Sequence, residues 1–334
     1  MSGRSRLHRR FFVPCGLYCN NFYKLCIFIR TPAQYDRENT NRQILQQRGS
    51  SMAKQKRALA IHDISCFGKC SLTVALPILS AAGIETSVIP TAILSTHTGG
   101  FTGYTFRDLT EDIPAIAKHW KSLGLTFDAI YTGYLGSFEQ LGVVSRLIDE
   151  FRGPDTLVCV DPVMADNGAL YPAFGPDFPR GMAQLCRRAD IIVPNLTEAA
   201  LLLGRDYREG PYSGEEIEGT LRGLSALGPT RIVLTGVWSR PEKLGCASFD
   251  ARTQTIRTEE TDRIAGSYHG TGDVFASALL GSLLNGFFLE QSAQTAADFT
   301  AGSIRRTREA GTDVRFGVNF EAGLPEYIGR LGLA

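Results

Sequence analysis

Gly266-Ser-Tyr-His-Gly-Thr-Gly-Asp273 is the segment of this chain best suited to chemistry. It precedes a run of small and apolar residues, 274–284, that reads as a helix. Gly270, Thr271 and Gly272 therefore place a flexible turn at a helix N-terminus. Unpaired backbone N–H groups and the helix dipole favour an anion there. Asp273 falls in the first turn of that helix, beside the anion. A carboxylate so placed can take a proton from a hydroxyl attacking a phosphoryl group. Taken alone, the same residues also fit a Gly-rich loop with a favourable first-turn acid.

The elements that must hold this turn alternate along the chain. Residues 58–61, 85–90, 129–132, 157–160, 191–193 and 231–234 read as short buried strands. Helical spacing covers 71–82, 113–123, 139–151, 180–188, 198–203, 214–227, 273–285 and 292–307. Residues 91–104 are Thr- and Gly-rich without a period and are expected to form a loop or lid. Residues 244–249 and 253–258 are expected to pair as a hairpin around Asp250. Strands alternating with helices predict an α/β fold, with a mostly parallel central sheet and helices on both faces. Ligands then bind beyond the carboxyl ends of the strands. The residues expected there are polar at five exits: His62-Asp63-Ile64-Ser65, Thr132-Gly133-Tyr134, Asp161-Pro162, Asn195-Leu196-Thr197-Glu198 and Thr235-Gly236.

Composition narrows the class. The 334 residues are 43% hydrophobic and 21% charged, enough for a large core without disulfides. No run of 18 apolar residues appears, so no membrane-spanning helix is expected. The net charge of +1 hides an asymmetry. Residues 1–51 hold nine Lys/Arg and two Asp/Glu, which leaves 26 basic and 32 acidic residues in 52–334. A mildly acidic body argues against a nucleic-acid partner. Eight cysteines without a C-x-x-C pair fit free thiols in a reducing, cytoplasmic setting. Residues 1–51 read as a disordered extension or an unused upstream start, with an organelle-targeting peptide as the alternative. Residues 52–334 read as one domain, opening at Met52.

Gly270-Thr-Gly-Asp273 before a late helix, with Asn195-x-x-Glu198 upstream, resembles the ribokinase-like superfamily of small-molecule kinases. Ser95-Thr-His-Thr-Gly99, Gly133-Tyr-Leu-Gly-Ser137 and Asp161-Pro-Val-Met164 resemble its pyridoxal/pyridoxamine/pyridoxine (vitamin B6) kinase branch, in the same order along the chain. The resemblance implies a three-layer fold, ATP as donor, Mg2+, room for K+, and a homodimer. It implies transfer of the γ-phosphoryl group to the 5′-hydroxymethyl of a B6 vitamer. Asp273 resembles the catalytic base, and Gly270, Thr271 and Gly272 the anion hole. Asp161 and Glu198 resemble the residues near the phosphates and metal, with Asn195 and Thr235 on the nucleotide. Thr98 and Gly99 match the loop that closes on the pyridine ring, and Tyr134 an aromatic position near it.

Three positions depart from that pattern. Asp63 stands where better-known members carry Ser; it could pair a protonated ring nitrogen or amine, or cap its loop through Ser65. No Glu follows Asp161-Pro-Val-Met164, where Ala165-Asp166-Asn167-Gly168 stands instead. His269 replaces a Cys found in some relatives. A kinase of another hydroxymethyl heterocycle, such as the thiamin pyrimidine, is the alternative enzyme. A non-catalytic vitamer-binding regulator is the alternative outside enzymes.

Overall fold

The computed structural model describes residues 55–333. The expectations for residues 1–51 lie outside the described residues. Eleven strands and nine helices follow one another among those described. They are β1 (Arg57–Phe67), α1 (Leu72–Ala81), β2 (Glu85–Thr96), β3 (Phe106–Asp108), α2 (Ile113–Ser122), β4 (Ala129–Thr132) and α3 (Phe138–Phe151). Next come β5 (Leu157–Val160), β6 (Ala165–Asp166), β7 (Ala169–Leu170), α4 (Phe178–Cys186), β8 (Ile191–Ile192), α5 (Leu196–Leu202) and α6 (Gly214–Ser225). The chain then forms β9 (Arg231–Val237), β10 (Lys243–Asp250), β11 (Thr255–Asp262), α7 (Thr271–Leu284), α8 (Leu289–Ala310) and α9 (Leu324–Arg330).

Nine strands form one sheet in the order β11-β10-β9-β8-β5-β4-β1-β2-β3. The six strands from β9 to β2 are parallel, and antiparallel strands close both edges. Period-2 alternation sorts the core into two layers. Leu59, Ile61, Ile130, Val158 and Val160 face α2 to α6. Ala58, Ala129, Tyr131 and Cys159 face α1, α7, α8 and α9. This is the expected three-layer α/β arrangement with helices on both faces. Cys159 and Cys186 are fully buried and serve as small core residues.

Several boundaries differ from the sequence reading. β2 continues to Thr96, so only the second half of the expected 91–104 loop is loop. The residues Thr91-Ala-Ile-Leu-Ser-Thr96 pair with β1 on one side and the short β3 on the other, and β-branched residues suit that place. β1 likewise runs to Phe67, so Asp63 sits inside the strand rather than after it, where the β1–β2 register shifts between His62 and Ile64. Thr235 lies within β9, two residues before its end, and Asp250 ends β10 rather than forming the turn. α9, anchored by the buried Tyr327, has no counterpart among the helices expected from spacing.

The strand order reverses across β1. The chain moves from β1 to β2 and β3 on one side, then to β4, β5, β8 and β9 on the other. Such a switch point opens a crevice at the carboxyl ends of the two flanking strands. Here those are β1, carrying Asp63, and β4, followed by Tyr134.

Candidate active site

α7 opens on Gly270, which stands at φ 74°, ψ 4°. A side chain there would be strained by the left-handed backbone and would meet the Lys69 carbonyl, 2.0 Å from an ideal Cβ. Glycine is therefore required where the chain passes under the Gly68–Ser71 loop. Thr271, Gly272 and Asp273 form the first turn of α7, whose N–H groups have no intrahelical acceptors. The turn expected to take an anion thus stands at the N-terminus of a helix of 14 residues.

The Ser71 backbone N–H lies near the Asp273 carboxyl, because the head of α7 passes against Lys69 and Cys70. Burial, opposed by that N–H and reinforced by nearby Asp63, pushes the Asp273 pKa up to about 7. Asp63 is itself buried, and its Oδ1 accepts from Ser71 Oγ at 2.5 Å and Oδ2 from Ser65 Oγ at 3.3 Å. Burial raises the Asp63 pKa against both hydroxyls. Asp63 therefore makes the loop-capping bond to Ser65 and also lies within electrostatic reach of Asp273. Tyr134 feels Asp63 too: burial first, then Asp63, pushes its phenol up to about 12. Its ring packs on Phe174, with centroids 5.6 Å apart. Asp63, Tyr134 and Asp273 thus share one neighbourhood across the switch-point crevice.

The second acid group lies beside them. Asp161 and Glu198 are buried, and burial together with Glu198 and Asp273 raises Asp161 well above its ordinary value. Glu198 is raised by burial to about 8, although its oxygens accept from Met164 N at 3.1 Å and Asn195 N at 2.9 Å. Asn195 Oδ1 in turn accepts from Glu198 N at 2.9 Å, so the N-x-x-E pair closes a capping box at the head of α5. Asn195 Nδ2 donates to Ala165 O at 2.8 Å and ties that box to the strand end after Asp161. No Lys or Arg forms an ion pair with Asp161, Glu198 or Asp273 among the described residues. Buried acids that raise one another without a cation are suited to one. No group of three or more His, Cys, Asp or Glu set to hold a metal occurs among the described residues. Thr235 bridges to Asn195, and its N–H donates to Pro194 O at 2.9 Å, which sets it next to this acid group.

The predicted substrate loop folds onto the anion turn. His97 Nδ1 accepts from Gly99 N–H at 3.1 Å, so the Nε2 proton faces Arg315 O at 2.6 Å. Gly99 lies against His269, whose ring atoms would be 2.6 Å from an ideal Cβ at that position. Thr98 is exposed at the tip of this contact. The structure therefore brings together every predicted site residue in two adjoining groups: Asp63, Thr98, Gly99, Tyr134 and the Gly270 turn in one, Asp161, Asn195, Glu198 and Thr235 in the other. Sequence reasoning does not find Ser71 and His97 as working parts. His97 lies inside the Ser95–Gly99 motif, whereas only the backbone geometry reveals Ser71.

Comparison with known proteins follows the same lines. The family model for phosphomethylpyrimidine kinase matches residues 78–317. A protein of Bacteroides thetaiotaomicron described as a phosphomethylpyrimidine kinase, solved with pyridoxal, is 39% identical at a TM-score of 0.79. The match covers 82% of this chain and 96% of that one. Pyridoxal kinase from Lactobacillus plantarum is 33% identical at a TM-score of 0.76, over 83% of this chain and 98% of that one. A pyridoxine/pyridoxal/pyridoxamine kinase of Bordetella avium is 28% identical over 260 residues, 73% of this chain and 83% of the relative.

Proposed function

The chain belongs to the phosphomethylpyrimidine kinase family, which takes in pyridoxal kinases of the ribokinase-like fold, and from that premise we propose that it phosphorylates the 5′-hydroxymethyl group of a B6 vitamer with ATP. The observation that carries this reading is Asp273, a carboxyl at the head of α7 beside a turn built for an anion. The 39%-identical relative that carries pyridoxal supports the choice of vitamer.

In this reading the γ-phosphoryl group lies on the N–H groups of Gly270, Thr271 and Gly272, which hold the negative charge that grows during transfer. The Asp273 carboxylate accepts the proton of the 5′-hydroxyl as its oxygen bonds to phosphorus and the bond to ADP breaks. Asp63 and Tyr134 orient the ring from β1 and the β4 exit. The loop at Thr98 and Gly99 covers it and excludes water. Asp161 would hold Mg2+, with Glu198 acting through water because its oxygens already accept backbone bonds. When bound with the nucleotide, Mg2+ neutralises charge across the phosphates. Asn195 and Thr235 would flank the nucleotide. We also propose a cytoplasmic homodimer, on the resemblance alone; no helix among the described residues is long and apolar enough to cross a membrane.

Phosphorylation of the thiamin hydroxymethylpyrimidine is the second reading, favoured by the description of the matching family. Purified protein with ATP, Mg2+ and each of pyridoxal, pyridoxamine, pyridoxine and hydroxymethylpyrimidine, assayed for ADP and the phosphorylated product, separates the two. A kcat/KM higher for the pyrimidine than for every vitamer overturns the B6 reading. Binding without turnover of any of the four overturns the enzyme reading.

A further inference from the structure

Ser71 stands at φ 53°, ψ −126° at the N-cap of α1. Only two other non-glycine residues among those described have positive φ, Asn167 and Gln254. Positive φ with strongly negative ψ is a region that L side chains avoid, and residues kept there cluster at working sites. Glycine would relax this backbone. What glycine lacks is the hydroxyl, and that hydroxyl is committed: Ser71 Oγ donates to Asp63 Oδ1 at 2.5 Å.

The rest of the residue is committed as well. Its N–H lies near the Asp273 carboxyl, where Gly270 at the head of α7 passes against Lys69 and Cys70. Its carbonyl accepts from Val74 N at 3.1 Å and Ala75 N at 2.9 Å, which starts α1. A bridge to Ile64 fixes it against β1. Rotation about φ sets how the side chain stands relative to the N–H, so the positive φ turns the hydroxyl to one carboxyl and leaves the N–H on the side of the other. One of those carboxyls belongs to β1 and the other to α7, more than 200 residues apart in the sequence.

We propose that Ser71 is a positioning residue for the phosphoryl transfer: it fixes Asp63 and Asp273 relative to each other, and with them the vitamer's ring and its reacting hydroxyl. The proposal rests on the reading given under Proposed function. It assigns Ser71 no contact with the substrate; its action runs through the two acids.

The test compares Ser71→Ala, Ser71→Gly, Asp63→Ala and the double variant Ser71→Ala/Asp63→Ala. Steady-state kinetics are measured with the three vitamers and with hydroxymethylpyrimidine, and melting curves are run alongside. Ser71→Ala is expected to lower kcat/KM for the preferred substrate about tenfold, while the KM for ATP changes less than about twofold. The double variant is expected to match Asp63→Ala within about twofold, because the hydroxyl bond lost with Ser71→Ala has no acceptor once the Asp63 carboxyl is gone. Ser71→Gly is expected to show the same kinetic loss without a lower melting temperature than Ser71→Ala, and it carries the comparison if the alanine variant does not fold. A Ser71→Ala enzyme within about twofold of wild type, losses that multiply with Asp63→Ala, or a parallel rise in the KM for ATP would each overturn the proposal. A wild type that prefers hydroxymethylpyrimidine defeats the B6 reading, and the same comparison on that substrate still decides the role of Ser71.

Discussion

Asp273 can accept a proton only while ionised, and its surroundings make that state pH-sensitive near neutrality. Its pKa is raised to about 7, so the ionised fraction grows as pH rises through that value. The acid limb of kcat/KM is expected near pH 7, well above the ordinary carboxylate range. Asp273→Asn should bind nucleotide and lose about 10²–10⁴-fold in turnover; a variant that keeps a third of wild-type turnover is inconsistent with the base assignment. The same shift bears on stability. A carboxyl whose folded pKa exceeds its unfolded value favours the fold below the unfolded value, and that contribution is lost as pH rises through about 7. The asparagine variant is therefore expected to melt higher than wild type at about pH 8, and the gap should narrow by about pH 5. Asp63 allows a sharper comparison among substrates. Its carboxylate would favour a cationic vitamer such as pyridoxamine through a charge-assisted bond worth about 1.5–3 kcal/mol. Asp63→Ser should weaken pyridoxamine more than pyridoxine with the KM for ATP nearly constant. Equal losses for all vitamers with a lowered melting point would leave Asp63 as a cap for Ser65 and Ser71.

The head of α7 separates two uses of glycine at the scale of the element. Gly270 needs its left-handed φ and its missing Cβ, because Lys69 O occupies that space. Gly270→Ala should destabilise the fold by at least about 1–2 kcal/mol and lower turnover with it. Nothing lies within 4 Å of an ideal Cβ at Gly272, and its φ is not positive. Gly272→Ala should therefore keep or gain stability, by up to about 1 kcal/mol of helix propensity, yet lose turnover because the methyl enters the anion's space. Thermal unfolding beside the turnover assay checks both; equal stability losses would mean that the turn is structural throughout. The G-T-G-D turn is legible in sequence because glycine spacing and a following helix are local signals. β3 and the second half of β2 are not. The second half of β2 mixes Thr and Ser with apolar residues without a period, β3 is only Phe106-Arg-Asp108, and their partners across the sheet make them strands. Ser71 is illegible for a related reason: its role depends on Asp63 and Asp273 meeting it in space, and no spacing around Cys70 signals a left-handed serine.

The layer order of the whole molecule follows from alternation alone, since apolar four-residue strands between helices admit little besides a doubly covered parallel sheet. The strand order does not, and with it the switch point between β1 and β4 that gathers distant acids into one crevice. Among the described residues every strand lies between Arg57 and Asp262, and β1, inside the sheet between β4 and β2, starts a few residues after Met52. The nine-stranded sheet is thus built from residues that follow Met52. Removal of residues 1–51 is expected to leave the melting temperature unchanged and kcat/KM for the vitamer within about twofold of wild type. Charge gives the one reason for a difference. Losing nine basic and two acidic residues turns a net +1 into about −6. A more negative protein repels ATP slightly, so the KM for ATP should rise in the truncated enzyme at low salt and return to the wild-type value near 0.15 M, where the screening length is about 8 Å. A vitamer affinity that falls at every ionic strength, or a truncated protein that aggregates, would instead make the segment part of the working domain.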